Sequence, residues 1–197
     1  MSRGLIIILV VAALFVFWGI SINNNLATKT QNVKAQWGDI QSAYQRRADL
    51  IPNLVNTVKG VANFEKGTLT DVIAARASAT QMKISADDLS PENIAKYQAA
   101  QSSLSGALGR LMVVSEQYPQ LKATQNFSEL QAQIEGTENR INVERNKFND
   151  TVRDYNGDLV RFPASFIARM LGYSEKGYIE GDKGSEKAPT VDFGEAK

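Results

Sequence analysis

The chain begins with one long apolar run and continues with apolar residues spaced three and four apart. Between Leu5 and Ile22 only Gly19 and Ser21 are not apolar, and the run contains no charged residue. A helix of this length covers about 27 Å, close to the roughly 30 Å hydrocarbon core of a bilayer. The pattern predicts a transmembrane helix, with Trp18 near the membrane interface.

A cleaved secretory signal is the alternative interpretation of this run. The run is longer than the usual signal core of about 7–15 residues, and no pair of small residues marks a cleavage position after it. We therefore expect residues 1–22 to be an uncleaved membrane anchor. Arg3 precedes the run and Lys29 and Lys34 follow it, so the flanking charges do not predict which side holds the soluble part.

Residues 23–173 are predicted to be all-α. Four windows show helical spacing of apolar residues, and none before Pro163 shows sustained alternation typical of strands. The stripes include Leu26, Val33, Trp37, Ile40 and Tyr44; Ile51, Leu54, Val58, Val61, Leu69 and Val72; Ile94, Tyr97, Leu104, Leu108 and Leu111; and Leu130, Ile134, Ile141, Phe148, Val152, Tyr155 and Leu159. Each amphipathic helix must bury its apolar face, so the stripes predict an antiparallel bundle of about four long helices.

Capping residues predict where the helices begin and end. Asp49 is a good N-cap and Pro52 suits a first turn, so a second helix should begin near Leu50 and run to about Met82. One continuous helix kinked at Pro52 is the alternative, and we favour the turn. Ser90 followed by Pro91 predicts the start of the third helix.

The third helix should end at Tyr118-Pro119, because the residue before proline avoids the helical region. The fourth is predicted over Phe127–Phe162, and a short amphipathic helix over Ala164–Leu171 is closed by Gly172. Residues 174–197 are rich in Gly, Glu, Lys and Asp, which predicts a flexible tail.

Composition restricts the chemistry. The 197 residues include no histidine and no cysteine, which excludes Ser-His-Asp and Cys-His triads, imidazole or thiolate zinc sites and disulfides. The 22 Lys+Arg against 21 Asp+Glu give a net charge of +1, which argues against a nucleic-acid-binding surface. We predict a protein that is not an enzyme and that has no cofactor and no metal site.

One group of residues is a candidate binding site. Arg46, Arg47, Asp49 and Asn53 surround the predicted start of the second helix, where free N–H groups and the helix dipole attract anions. The alternative is that the two arginines only end the preceding helix and that the group is structural.

An acidic stripe is the other candidate. Asp150, Asp154 and Asp158 repeat every four residues, and oxygen ligands suit divalent cations. The spacing is not that of an EF-hand loop, and an ordinary solvated face is the favoured interpretation. Some polar residues lie beside the apolar stripes, such as Arg76, Gln101 and Thr137. Such residues more often fix the register of packed helices than take part in catalysis.

A series of ordered motifs resembles the bacterial LemA family. In chain order these motifs are Gln45–Val55 (QRRADLIPNLV), Val58–Gly60, Ala75-Arg76, Glu116–Ala123 (EQYPQLKA), Glu138–Ile141, Arg145–Asn149 (RNKFN), Tyr155-Asn156, Phe162-Pro163, Gly172-Tyr173 and Ala188–Phe193 (APTVDF). With the anchor they cover nearly the whole chain. The resemblance implies a membrane-anchored helical bundle, and it brings no established catalytic residues with it.

Two functions are expected from these observations. The favoured one is a scaffold or interaction protein of the bacterial cytoplasmic membrane, held in the bilayer by a single pass through residues 5–22. It would present its bundle to a membrane or envelope protein or to copies of itself, and a monomer is the alternative to self-association. The second is a membrane-linked sensor that binds an anion at the Arg46-Arg47 group or a divalent cation along the acidic stripe.

Overall fold

The computed structural model describes residues 2–60 and 65–181. Within these ranges the chain forms six helices and no strand, which confirms the all-α prediction. The helices are α1 (Arg3–Lys59), α2 (Lys66–Gln81), α3 (Pro91–Ser115), α4 (Pro119–Lys122), α5 (Gln125–Val160) and α6 (Ala164–Met170).

The predicted turn between Asp49 and Pro52 is wrong. Both residues lie inside α1, a single helix of 57 residues that contains the apolar run and the first element of the bundle. A proline inside a helix removes the N–H that would bond to the carbonyl four residues earlier, here that of Ala48. The side chain of Arg76 from α2 donates its Nε–H to this carbonyl at 2.8 Å, so the acceptor is satisfied and the helix continues.

The bundle is antiparallel, as predicted. Along α1 the contacts with α5 run in opposite order, from Lys29 with Asp154 to Gln36 with Glu144. α2 and α3 are likewise antiparallel, because Gln101 of α3 donates to the carbonyl of Ala79 on α2 and Arg110 lies 3.7 Å from Asp71.

Two apolar clusters lie along the bundle. The cluster nearer the apolar run centres on Trp37, whose ring lies 5.0 Å from that of Tyr97 and 5.6 Å from that of Phe148. The other cluster includes Leu54, Leu111 and Phe127 and lies toward the far end of α1. Burial of these two clusters holds the helices together.

Several predicted boundaries agree with the structure and others shift. Pro91 begins α3, and Gly172 closes α6 with a left-handed φ of 78°, a conformation that suits glycine. α5 keeps its predicted length of 36 residues but begins at Gln125 and ends at Val160. The second predicted helix divides: its first part belongs to α1 and its last part is α2, while residues 61–64 lie outside the described residues.

Residues 174–181 are an extended segment packed on the bundle, although the sequence places them in a flexible tail. Ile179 is buried, and Asn149 of α5 both donates to its carbonyl at 2.8 Å and accepts from its N–H at 2.9 Å. Asn156 makes the same pair of bonds with Lys176, each at 2.9 Å. Residues 182–197 of the predicted tail lie outside the described residues.

Candidate functional site

The four predicted site residues all lie on α1, but they do not converge. Arg46, Asp49 and Asn53 are exposed, whereas Arg47 is completely buried. No helix begins at this point, because positions 46–53 are interior residues of α1. The free N–H groups that the predicted anion site required are therefore used in the α1 backbone.

The Arg47 guanidinium connects three helices. Its Nη1 donates to the hydroxyl of Ser105 on α3 at 2.7 Å and to the carboxylate of Glu138 on α5 at 2.6 Å. Its Nη2 donates to the side-chain oxygen of Gln101 at 3.0 Å. The guanidinium carbon also lies 5.2 Å from the centre of the Tyr44 ring, within the range of a cation–π contact.

These hydrogen bonds explain how the charged guanidinium of Arg47 can be buried in the core. Gln101 accepts from Arg47 and donates to the carbonyl of Ala79, so the network also reaches α2. Among the buried side-chain nitrogen and oxygen atoms of the described residues, only the Nε of Arg47 has no hydrogen-bond partner. Since the guanidinium is directed to protein groups and closed from solvent, it acts as a junction between helices rather than as a surface anion site.

Arg76 is a polar residue beside an apolar stripe, and its partner, the carbonyl of Ala48, is not evident from the sequence. The signal that could have identified it is Pro52, because a proline within a helix leaves one carbonyl without its donor. Such a carbonyl needs a side-chain donor when it is covered by protein.

An open cavity of about 980 Å³ lies beside the Arg47 junction, between α1, α2, α3 and the residues after α2. Arg46 and Asp49 line it from α1, and Lys83 lines it from the loop. Asp49 accepts a hydrogen bond from Gln45 at 2.7 Å. Arg46 and Lys83 make no ion pair within the described part of the chain, so two cations and the Asp49 carboxylate line one cavity.

Tyr97 also lines this cavity, but its hydroxyl is not set up as a base. Burial, the largest influence, raises the pKa of Tyr97 above its ordinary value, and the neighbouring Tyr44 acts in the same direction. The phenol therefore stays protonated near neutral pH.

The acidic stripe on α5 is largely neutralised by cations. Lys29 of α1 lies 2.9 Å from Asp154 and 2.7 Å from Asp158. Asp150 pairs with Arg153 at 2.8 Å. Burial acts to lower the pKa of Lys29, but the hydrogen bonds to Asp158 and Asp154 outweigh it and raise the pKa above the ordinary value. In residues 2–60 and 65–181, no group of three or more carboxylates is placed to hold a metal ion.

The N-terminal part of α1 has the properties of a membrane span. Its most apolar window has a mean hydropathy of 3.0, and none of that window is buried in the protein. By length and composition it is the single helix in the described residues that could cross a membrane. An apolar surface this large needs a nonaqueous neighbour.

Comparison with known proteins gives several relatives. Magnetosome proteins MamQ 1 and MamQ 2 of Paramagnetospirillum magneticum are each 23% identical over 174 residues, covering 80% of this chain and 64% of the relative. Protein LemA of Metamycoplasma hominis is 23% identical over 158 residues, covering 80% of this chain and 68% of the relative. The chain thus spans less than two thirds of the two MamQ proteins.

The family comparison matches most of the bundle. The match runs over residues 36–193. It includes the Arg47 junction, Pro52 with Arg76, and the extended segment that packs on α5. On this evidence the protein belongs to the LemA family.

Proposed function

We propose that this protein is a non-enzymatic scaffold of the bacterial cytoplasmic membrane, anchored by a single span and presenting its bundle to protein partners or to copies of itself. The observation that carries the proposal is the continuity of α1. One helix forms the apolar span and then contributes Trp37, Arg47 and Leu54 to the core. A helix without a break holds the bundle in a fixed orientation relative to the span.

The buried polar groups bond to neighbouring helices, which supports a structural and protein-binding role rather than catalysis. Arg47, Gln101 and Glu138 are committed to bonds between helices. Lys29 is committed to the carboxylates of α5. Catalytic groups in contrast need a reacting partner and a shifted pKa near the working pH.

The apolar window of α1 supports the membrane part of the proposal, because none of it is buried in the protein. Association with a membrane, the single span and the cytoplasmic membrane are all our proposal for this protein.

Site-specific crosslinking tests the scaffold. A photoreactive amino acid would replace Val113 on α3 or Val143 on α5, two exposed apolar residues on the bundle surface. We expect one of them to give a product of defined mass in cells, with Leu14 in the span as the control position. Coexpression of two differently tagged copies distinguishes self-association from a second protein. A strictly monomeric protein in detergent, together with no crosslinked product from either position, would exclude the scaffold.

The cavity beside Arg46 favours a second candidate, a sensor of anions. Arg46 and Lys83 face the same cavity of about 980 Å³. Inorganic phosphate or pyrophosphate should then raise the melting temperature of the protein. Arg46→Ala and Lys83→Ala should each remove this increase. Arg110→Ala on α3 is the matched control, because this exposed cation lies outside the cavity. An unchanged melting temperature at saturating phosphate and pyrophosphate would exclude the anion sensor. A parallel melt with divalent cations tests the acidic stripe.

A further inference from the structure

A patch of exposed apolar side chains surrounds α6. The patch, called here the α6 patch, includes Val160, Phe162, Phe166, Met170 and Leu171. Phe162 is 89% exposed, Phe166 68% and Met170 66%. Phe166 and Met170 are four residues apart on one helix and therefore share a face. Soluble surfaces seldom gather so many large apolar groups without a partner.

The α6 patch lies beside the end of the membrane span. On the opposite side of α6, Ala168 is buried, and the Cδ1 of Ile167 lies 4.0 Å from where a Cβ on Gly19 would stand. The hydroxyl of Tyr173 donates to the side-chain oxygen of Asn23 on α1 at 3.1 Å. These contacts fix α6 against the last turns of the apolar run.

The position along α1 gives the depth of α6. Gly19 precedes the end of the apolar run at Ile22 by three residues, which is about 4.5 Å along the helix axis. If the run spans the hydrocarbon core, α6 lies where hydrocarbon meets headgroups. Amphipathic helices that lie in this zone place their apolar face about 5–10 Å into the boundary.

The charges around the α6 patch fit an anionic lipid surface. Residues 159–173 contain Arg161 and Arg169 and no Asp or Glu. The preceding carboxylate, Asp158, lies 2.7 Å from Lys29 and 3.7 Å from Arg161, so its charge is already matched by a lysine. Both arginines are exposed. Arginine side chains at this depth can extend their guanidinium groups to lipid phosphates while their stems cover apolar surface.

We infer that α6 is a second membrane contact, in which Phe162, Phe166 and Met170 insert into the bilayer interface beside the span. The inference rests on the proposed membrane anchor, because the span sets the level at which α6 meets lipid. The occupant of the α6 patch is the same bilayer that the span crosses. The bundle is thus attached to its membrane at two points instead of one.

Spin labelling of the full-length protein tests this contact. The native chain has no cysteine, so single cysteines at positions 14, 113, 166 and 170 can each carry one nitroxide. Val113 is the matched control, since it is 69% exposed, nearly the same as Phe166, and lies on α3 of the bundle. The protein would be placed in vesicles of phosphatidylethanolamine and phosphatidylglycerol, and collision with oxygen would be compared with collision with a water-soluble nickel chelate.

Labels at 14, 166 and 170 should collide more with oxygen, whereas the label at 113 should collide more with the nickel chelate. If position 14 is in lipid but 166 and 170 behave like 113, the second contact is wrong and the anchor stands. If position 14 is also in water, the anchor itself is wrong and the second contact falls with it. Spin–spin broadening at 166 that disappears on dilution with unlabelled protein would show that a second copy covers the α6 patch, which also overturns the inference.

Discussion

Adjacent residues on α1 have opposite roles, and Arg46 and Arg47 are the clearest case. Arg46 faces an open cavity, while Arg47 is closed from solvent and bonded to α3 and α5. A rotation of about 100° per residue along a helix separates the two environments. Position on the helix, rather than residue type, decides which arginine can meet a ligand.

Replacing Arg47 should destabilise the protein far more than replacing Arg46. Arg47→Ala leaves Gln101 without its donor and opens a cavity, but Glu138 keeps access to water because its side chain is 36% exposed. We expect a loss of about 2–4 kcal/mol in the free energy of unfolding, less than for a fully enclosed pair. Arg46→Ala should change it by less than about 0.5 kcal/mol.

Denaturant unfolding of the detergent-solubilised chain measures both changes. Arg47→Lys should fall between them, since it keeps the charge and loses the planar fork of donors. Equal effects at positions 46 and 47 would contradict the role assigned to Arg47.

Pro52 and Arg76 should be energetically coupled. Arg76→Ala removes the donor to the Ala48 carbonyl and should cost about 1–2 kcal/mol. Pro52→Ala supplies a backbone N–H to the same carbonyl, so in that background Arg76→Ala should cost less. A double-mutant cycle measures the coupling, expected to be on the order of 1 kcal/mol. Strict additivity of the two substitutions would show that Arg76 does not serve the carbonyl that Pro52 releases.

At the scale of elements, the extended segment 174–181 is held by amide side chains. Asn149 and Asn156 each donate and accept, as a neighbouring strand would. Gln98 of α3 does the same with Glu180 from the other side, donating at 2.6 Å and accepting at 3.0 Å. Gly177 permits a close approach, because a Cβ there would lie 2.7 Å from the Cα of Pro91.

Loss of these amides should release the segment and leave the bundle folded. In Asn149→Ala with Asn156→Ala, the backbone N–H groups of Lys176 and Ile179 lose their acceptors. Hydrogen exchange at these two positions should accelerate on the order of tenfold or more. The control is Asn146→Ala, an exposed asparagine on α5. Exchange in α5 that accelerates equally would indicate global unfolding instead.

The contact between Gln36 of α1 and Glu144 of α5 should make stability depend on pH. Burial acts to raise the pKa of Glu144, but hydrogen bonds from Gln36 and Lys147 outweigh it and hold the pKa below its ordinary value. A carboxylate with a lowered pKa stabilises the fold above its unfolded pKa and loses that contribution as the pH falls through the folded pKa.

Unfolding measured from about pH 6 down to about pH 3 checks this expectation. Glu144→Gln should reduce the fall in the free energy of unfolding as the pH is lowered. Glu135→Gln, on an exposed face of the same helix, is the control. If Glu144→Gln left the dependence of the unfolding free energy on pH unchanged in this range, the role of the contact would be contradicted.

Sequence patterns predicted the helices whose signals are local. Pro91, Gly172 and the apolar stripe of α5 each act within a few residues, and those elements were predicted closely. The continuity of α1 depends on Arg76, which lies 28 positions from Ala48, and the extended segment depends on amides of α3 and α5. Such partners meet only in the folded bundle. For the same reason the sequence could suggest Arg46 and Arg47 as one group, but it could not predict that Arg47 is a buried junction and that Arg46 lines a cavity.

At the scale of the whole molecule, the proposed span predicts that Ser2 and the bundle lie on opposite sides of the membrane. Single cysteines would replace Ser2 or Glu175, both of which are exposed. A membrane-impermeant thiol reagent applied to intact cells should label one of the two and not the other. The native chain gives no background because it contains no cysteine. Labelling of both positions would exclude a single span, and the labelled position identifies the outer side.

The unbroken α1 also sets the height of every bundle surface above the bilayer. Arg46 follows Ile22 by 24 residues, which places the cavity at most about 36 Å from the hydrocarbon edge. A neighbouring protein in the same membrane must extend to that height to touch the cavity, and shorter neighbours meet only the region around Lys29 and α6. Insertion or deletion of whole helical turns in α1 would therefore change which neighbours are within reach.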